Sequence, residues 1–214
     1  MDTFSNECIY EILLFLNPKY LQLCAQINNN FHGLCQLESL WKNQIEKKYN
    51  PLFKRKTYYE NCKVYYQLCI LRNKLKLSYQ IDELYCLPRL FLNYRKLKEL
   101  PKEIAQLFNL VHLSLSYNQL KKLPNQFGQL TNLRVLGISD NQFEQLPKEM
   151  GQLINLESLY LQNNPLTELP KEMEKLTKLK NLSVTNIQFI KLSKDIGQLT
   201  SLSYLDFRSN YYGI

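Results

Sequence analysis

Leucines recur along the second half of the chain at Leu87, Leu110, Leu133, Leu156, Leu179 and Leu202, each 23 residues after the last. Inside each interval the apolar positions keep one order. In the third, Leu133, Leu136 and Ile138 are followed by Phe143, Leu146, Met150 and Leu153, with polar residues between. The opening stretch alternates apolar and polar positions, the period of a strand whose leucines point inward. The remainder spaces its apolar residues more widely and passes through a Leu-Pro step at 100–101, 123–124, 146–147 and 169–170. Proline there fixes the backbone of a return path that has no ladder hydrogen bond to lose. An asparagine (Asn118, Asn141, Asn164, Asn210) stands where the chain leaves the strand. Its amide suits backbone groups that the turn leaves unpaired. A strict period of this length predicts a stack of repeats, because one unit cannot bury its apolar side alone and two neighbours can.

The third unit reads L-x-x-L-x-L-x-x-N-x-L-x-x-L-P-x-x-I-G-x-L, with Phe143 and Met150 at two of the apolar places. It resembles the leucine-rich-repeat family in its short form, and the resemblance covers residues 87–214 as five full units and one partial. That implies an α/β solenoid, a horseshoe with parallel strands on its concave face. Some units depart from the pattern. Arg95 and Ile187 replace the asparagine in the first and fifth, Ser193 replaces proline in the fifth, and Glu174 replaces glycine in the fourth.

Outward strand positions then line up across the stack. One row is Arg89, His112, Val135, Ser158, Asn181 and Tyr204, and the next is Phe91, Ser114, Gly137, Tyr160, Ser183 and Asp206. Two more are Asn93, Ser116, Ser139, Gln162, Thr185 and Arg208, then Tyr94, Tyr117, Asp140, Asn163, Asn186 and Ser209. Aromatic residues, Arg and small polar residues are the mixture of protein-binding surfaces. Candidate partner-binding residues are Arg89, Phe91, Tyr94, His112, Tyr117, Tyr160, Tyr204, Asp206 and Arg208; the alternative is an inner face that is merely soluble. At the far end Tyr211, Tyr212 and Ile214 are expected to fold over the sixth strand, with a second copy of the chain as the other way to cover it.

Residues 1–73 lack the 23-residue period and read as helices. Ser5 suits the cap of a helix with Ile9, Ile12, Leu13 and Leu16 on one face. Asn17-Pro18 then opens a second, Leu40 and Trp41 anchor a third, and Thr57-x-x-Glu60 is a capping box opening a fourth, whose buried side carries Cys62, Tyr65, Tyr66 and Cys69. Phe4-Ser5-Asn6-Glu7, Ile9, Ile12-Leu13, Leu16, Pro18, Leu21, Ile27, Phe31 and Leu40-Trp41 resemble the F-box pattern in spacing. Ser5 stands where that family has proline and Phe31 where it has tryptophan. The resemblance implies that Phe4, Ile9, Ile12, Leu13, Leu16, Pro18, Leu21 and Ile27 contact a Skp-family adaptor. It divides the chain into an F-box-like segment at 1–48, a helical linker or N-terminal cap at 49–86, and repeats at 87–214. The plain alternative is a set of helices that only cap the first repeat.

Composition narrows the chemistry. The six cysteines form no C-x-x-C pair and only His32 and His112 are present as imidazoles, so neither a zinc site nor any cofactor is expected. Reduced thiols suit a cytoplasmic or nuclear protein. No apolar run reaches the length of a membrane span, and the acidic start does not read as a signal peptide. Of the +8 formal charge, residues 1–86 carry 11 basic and 8 acidic residues, +3, and residues 87–214 carry 16 and 11, +5. Much of it alternates with acid, as in Lys102-Glu103 and Lys148-Glu149, which is a solvated face and not a phosphate-binding stripe. Nucleic acid is therefore not the expected partner, and no nucleophile with its base or glycine-rich phosphate loop is visible.

Taken together, the two resemblances imply a non-enzymatic substrate receptor of a cullin-RING ubiquitin ligase. The adaptor and cullin complex would be held by the helices and a target protein by the repeat face. The location would be cytoplasm, or host cytoplasm for a viral protein. The rival reading is a leucine-rich-repeat scaffold with a helical cap and no part in ubiquitin transfer.

Overall fold

The computed structural model describes residues 58–187 and 197–210. The chain divides into two compact units, Met1–Tyr85 and Cys86–Ile214. The F-box-like stretch, with the adaptor residues from Phe4 to Ile27, lies outside the described residues, as do Thr57, Ser193 and the tail residues Tyr211, Tyr212 and Ile214.

Helix α1 (Tyr58–Leu75) begins one residue after Thr57, where the capping-box spacing puts it. Val64, Leu68, Leu71 and Leu75 are buried at heptad-like spacing, and Cys69 is buried beside them. The side chains of Cys62, Tyr65 and Tyr66 are outside the described set. The helix ends on Lys76, whose φ of 49° is left-handed. Leu77 N–H reaches back to Arg72 O at 2.9 Å and Lys76 N–H to Asn73 O at 3.2 Å. This is the Schellman pattern, and the burial of Leu77 supplies its apolar contact. Helix α2 (Ile81–Cys86) is entered at Gln80, whose N–H donates to Glu83 Oε2 at 2.9 Å.

In the second unit every 23-residue interval opens with one strand of a coil. Its strand is three residues long: β1 (Arg89–Phe91), β2 (His112–Ser114), β3 (Val135–Gly137), β4 (Ser158–Tyr160), β5 (Asn181–Ser183) and β6 (Tyr204–Asp206). They form one parallel sheet in chain order, and each residue pairs with the one a full repeat later, as Leu113 does with Leu136. The return side of the first four coils carries 3-10 turns at Lys102–Gln106, Asn125–Gln129, Lys148–Gln152 and Lys171–Lys175. Each turn follows the proline of a Leu-Pro step in extended conformation, for instance Pro147 at φ −69° and ψ 145°. A 3-10 turn is thicker than a strand, so stacking bends the sheet side inward. The result is a leucine-rich-repeat solenoid with its strands on the concave face. Leu110, Leu133, Leu156 and Leu179, with Phe127 and Phe143, are wholly buried between.

The asparagines stitch each coil to the one before it. Asn141 Nδ2 donates to Leu115 O, Ile138 O and Ser139 O at 3.0–3.1 Å, and its Oδ1 accepts from Leu120 N–H at 3.0 Å. Asn118 accepts from both Arg95 and Leu97 N–H, Asn164 from Phe143 and Asn210 from Ile187. Ile187 has no amide to offer, so the fourth coil lacks this stitch to the fifth. Across that seam the structure has side-chain bridges: Asn181 to Ser158, Asn186 to Asn163 and Lys180 to Glu157.

Candidate partner-binding face

All-parallel sheets are ordinarily covered on both faces. This one buries its leucine side and leaves large side chains exposed on the other. Phe91 is 54% exposed, Tyr94 70%, Tyr117 49%, Tyr160 37% and Tyr204 52%. Arg89 and Arg208 are also exposed, whereas His112 and Asp206 are half-buried. Not every outward position is open. Ser158 and Ser183 are buried among their row neighbours.

One expectation needs correction. Tyr94, Tyr117 and Arg208 do not stand on strand positions, because each strand stops after three residues and the chain then turns. The eighth residue of each coil occupies the left-handed region: Tyr94 and Tyr117 at φ 59°, Asp140 at 54°, Asn163 at 56°, Asn186 at 51° and Ser209 at 60°. Asn and Asp tolerate this conformation, while for a bulky residue it costs about 1–2 kcal/mol. The two tyrosines are therefore strained, and their rings stack with centroids 4.4 Å apart and planes 9° off parallel. Asp140, with Tyr94 beside it, raises the Tyr117 phenol above its ordinary pKa.

The rest of the face falls into two groups. At one end Phe91 and His112 meet edge to face, with centroids 5.0 Å apart. Burial, and then the charge of Arg89, lowers the His112 pKa below its usual 6.5. At the other end Arg208 grips Asp206 with two parallel hydrogen bonds of 2.8 Å, Nε to Oδ1 and Nη2 to Oδ2. This fork, with help from Tyr204, holds the Asp206 carboxyl down at about 2. Asp206 is thus committed to Arg208, whose side chain remains 80% exposed.

Between them is a hollow of about 570 Å³ lined by His112, Ser114, Ser116, Tyr117, Val135, Gly137, Ser139, Asp140, Tyr160, Gln162, Asn163 and Thr185. Gly137 is among the lining residues, and a Cβ added there would meet Ser114 Oγ and Ser116 Oγ at 3.4 Å. Ser139 and Gln162 are hydrogen-bonded to each other, and Asn163 Nδ2 donates to Asp140 Oδ1 at 2.7 Å. The structure thus gathers three of the sequence candidates, His112, Tyr117 and Tyr160, around one hollow. It leaves Tyr204, Asp206 and Arg208 in a separate group. Asp140, Gly137 and Gln162 are lining residues that the sequence reasoning did not single out. The available signals were an acid after two tyrosines in one row and a single glycine in another.

Among the described residues no group of His, Cys, Asp and Glu is placed to hold a metal, and no helix is long and apolar enough to cross a membrane.

Comparison with known proteins agrees with the coil geometry. A leucine-rich-repeat family model matches residues 87–143, and a leucine-rich-repeat-region model matches residues 125–211. No curated protein matches the chain. Among solved structures the chain is similar to a leucine-rich-repeat protein of Leptospira interrogans, at 47% identity and a TM-score of 0.61, over 64% of this chain and 35% of that one. It is also similar to an internalin of Listeria monocytogenes, at 26% identity and a TM-score of 0.51, over 58% of this chain and 35% of the internalin. A third is the leucine-rich-repeat ectodomain of the receptor kinase SOBIR1 of Arabidopsis thaliana, at 31% identity and a TM-score of 0.51, over 57% and 70%. The chain thus spans about a third of the length of the first two. Fold and matches together define residues 87–211 as a leucine-rich-repeat solenoid.

Proposed function

We propose that the protein is a non-catalytic receptor that holds a protein partner on the concave sheet face. The observation that carries this reading is the line of exposed aromatic side chains, Phe91, Tyr117, Tyr160 and Tyr204, on a sheet face that would ordinarily be covered. Tyrosine and arginine are enriched at binding hot spots, and tyrosine buries much surface at little conformational cost. Panning a displayed peptide library on the full chain and measuring the recovered binders tests it. Tyr160→Ala is expected to weaken capture by about 1–3 kcal/mol, and Lys148→Ala on the outer turns to leave it unchanged. Binders that ignore the face and depend on the outer turns would overturn the reading.

The finer proposal is that this receptor serves a cullin-RING ubiquitin ligase. It is supported by the F-box-like spacing of Phe4, Ile9, Ile12, Leu13, Leu16, Pro18, Leu21 and Ile27 ahead of the repeats. The segment at 1–48 would dock a Skp-family adaptor, and catalysis would come from the raised local concentration of target near the conjugating enzyme. The intact protein is expected to retain a purified Skp-family adaptor at micromolar concentration, and Ile9→Asp with Leu16→Asp to abolish retention with the repeats still folded. Failure of the intact protein to bind leaves the scaffold reading alone.

A further inference from the structure

We propose that the hollow beside Tyr117 is a receptor for an arginine side chain of the bound partner, with the guanidinium lying on the free face of the Tyr117 ring and paired with Asp140. This deepens the concave-face reading and rests on it.

Three observations carry the assignment. The first is strain. The eighth position of the coil has the same left-handed backbone in all six coils, and Asp140, Asn163 and Asn186 show which residue types fill it without difficulty. The fold does not require an aromatic there. Tyr94 and Tyr117 are nevertheless present in adjacent coils, and strain kept at the surface points to use and not to packing.

The second is geometry. Tyr94 covers one face of the Tyr117 ring by parallel stacking. The coils stack in order, so the other face turns toward the third coil. There the short side chain of Asp140 and the absent side chain of Gly137 leave the hollow. A planar cation entering it meets an aromatic face already fixed in orientation. Guanidinium is the cation that stacks on such a face and also presents a planar fork to a carboxylate.

The third is charge. Asp140 is the only carboxylate lining the hollow. Among the described residues it accepts a hydrogen bond from Asn163 and interacts with the Tyr117 hydroxyl, but has no cationic partner. Asp206, the other acid of this face, is committed to Arg208. Asp140 is thus the acid of the face left for a partner to neutralise.

The test uses the full-length protein with 13C-labelled tyrosine rings, titrated with N-acetyl-arginine amide and, separately, with N-acetyl-citrulline amide. Citrulline keeps the planar shape and removes the charge. The arginine probe is expected to shift the Tyr117 ring signal saturably, and the citrulline probe to bind about tenfold more weakly or not at all. Asp140→Asn should cause a similar loss for the arginine probe while leaving the Tyr94–Tyr117 stack and its spectrum intact. No saturable shift at Tyr117, equal binding of the two probes, or full binding to the Asp140→Asn protein would each overturn the proposal. None of these touches the broader reading, which stands or falls with Tyr160→Ala in peptide capture.

Discussion

His112 shows how a single side chain on this face senses its neighbours. Burial, and secondarily Arg89, disfavours the proton on its imidazole. A base whose pKa is lowered on folding binds fewer protons when folded, so its environment costs nothing above the unfolded value near 6.5. The cost grows as pH falls through that value toward the lowered one. With only two histidines in the chain, proton NMR is expected to show His112 titrating below the ordinary range, and Arg89→Ala to move it only part of the way back, since burial is the larger cause. A His112 midpoint at or above 6.5 contradicts the account. Asn141 illustrates the opposite case, a buried polar group with every bond made. Asn141→Ala strands backbone carbonyls in two coils and is expected to cost about 2–4 kcal/mol in urea unfolding. A loss under 1 kcal/mol would mean that water or a local shift takes over the amide's role.

At the level of the element, the 3-10 turn sets how closely coils approach on the outer side. A Cβ added to Gly151 would lie 2.7 Å from Glu172 Cβ and 2.9 Å from the Glu172 carbonyl carbon, atoms that cannot swing away. Gly151→Ala is therefore expected to destabilise the solenoid by about 1–3 kcal/mol. Thermal unfolding of that variant at the wild-type temperature would show that the turns are free to spread. Glycine at this point of the repeat was visible in the pattern, as were the strand, the Leu-Pro step and the asparagine. All of these follow from burial and turn chemistry, which repeat with the period. The left-handed eighth position was not read, although Asp140, Asn163 and Asn186 signal it, because tyrosine in two of six coils favours a strand reading. The hollow was missed for another reason. It is made by what Gly137 and Asp140 lack, and it exists only once three coils are side by side.

For the whole molecule, stability is close to a sum of coils and of seams between them. The seams are not equal. The N–H groups of Leu97, Leu120 and Phe143 each donate to the asparagine of the next coil. The corresponding group on Leu166 faces Ile187 and, among the described residues, has no acceptor, although Leu166 is fully buried. The Leu166 amide is expected to exchange with deuterium faster than those of Leu120 and Phe143; equal protection would show that the missing stitch has been replaced. The ion pair that does cross there, Lys180 to Glu157, is exposed and weak. A solenoid pulled from its ends would accordingly part first between the fourth and fifth coils, along a perforation set by one substitution of asparagine by isoleucine. A tether between the N-terminal helices and a captured partner would transmit load without opening that line if the partner sits on the first four coils, and only through it if the partner is held at Tyr204 and Arg208.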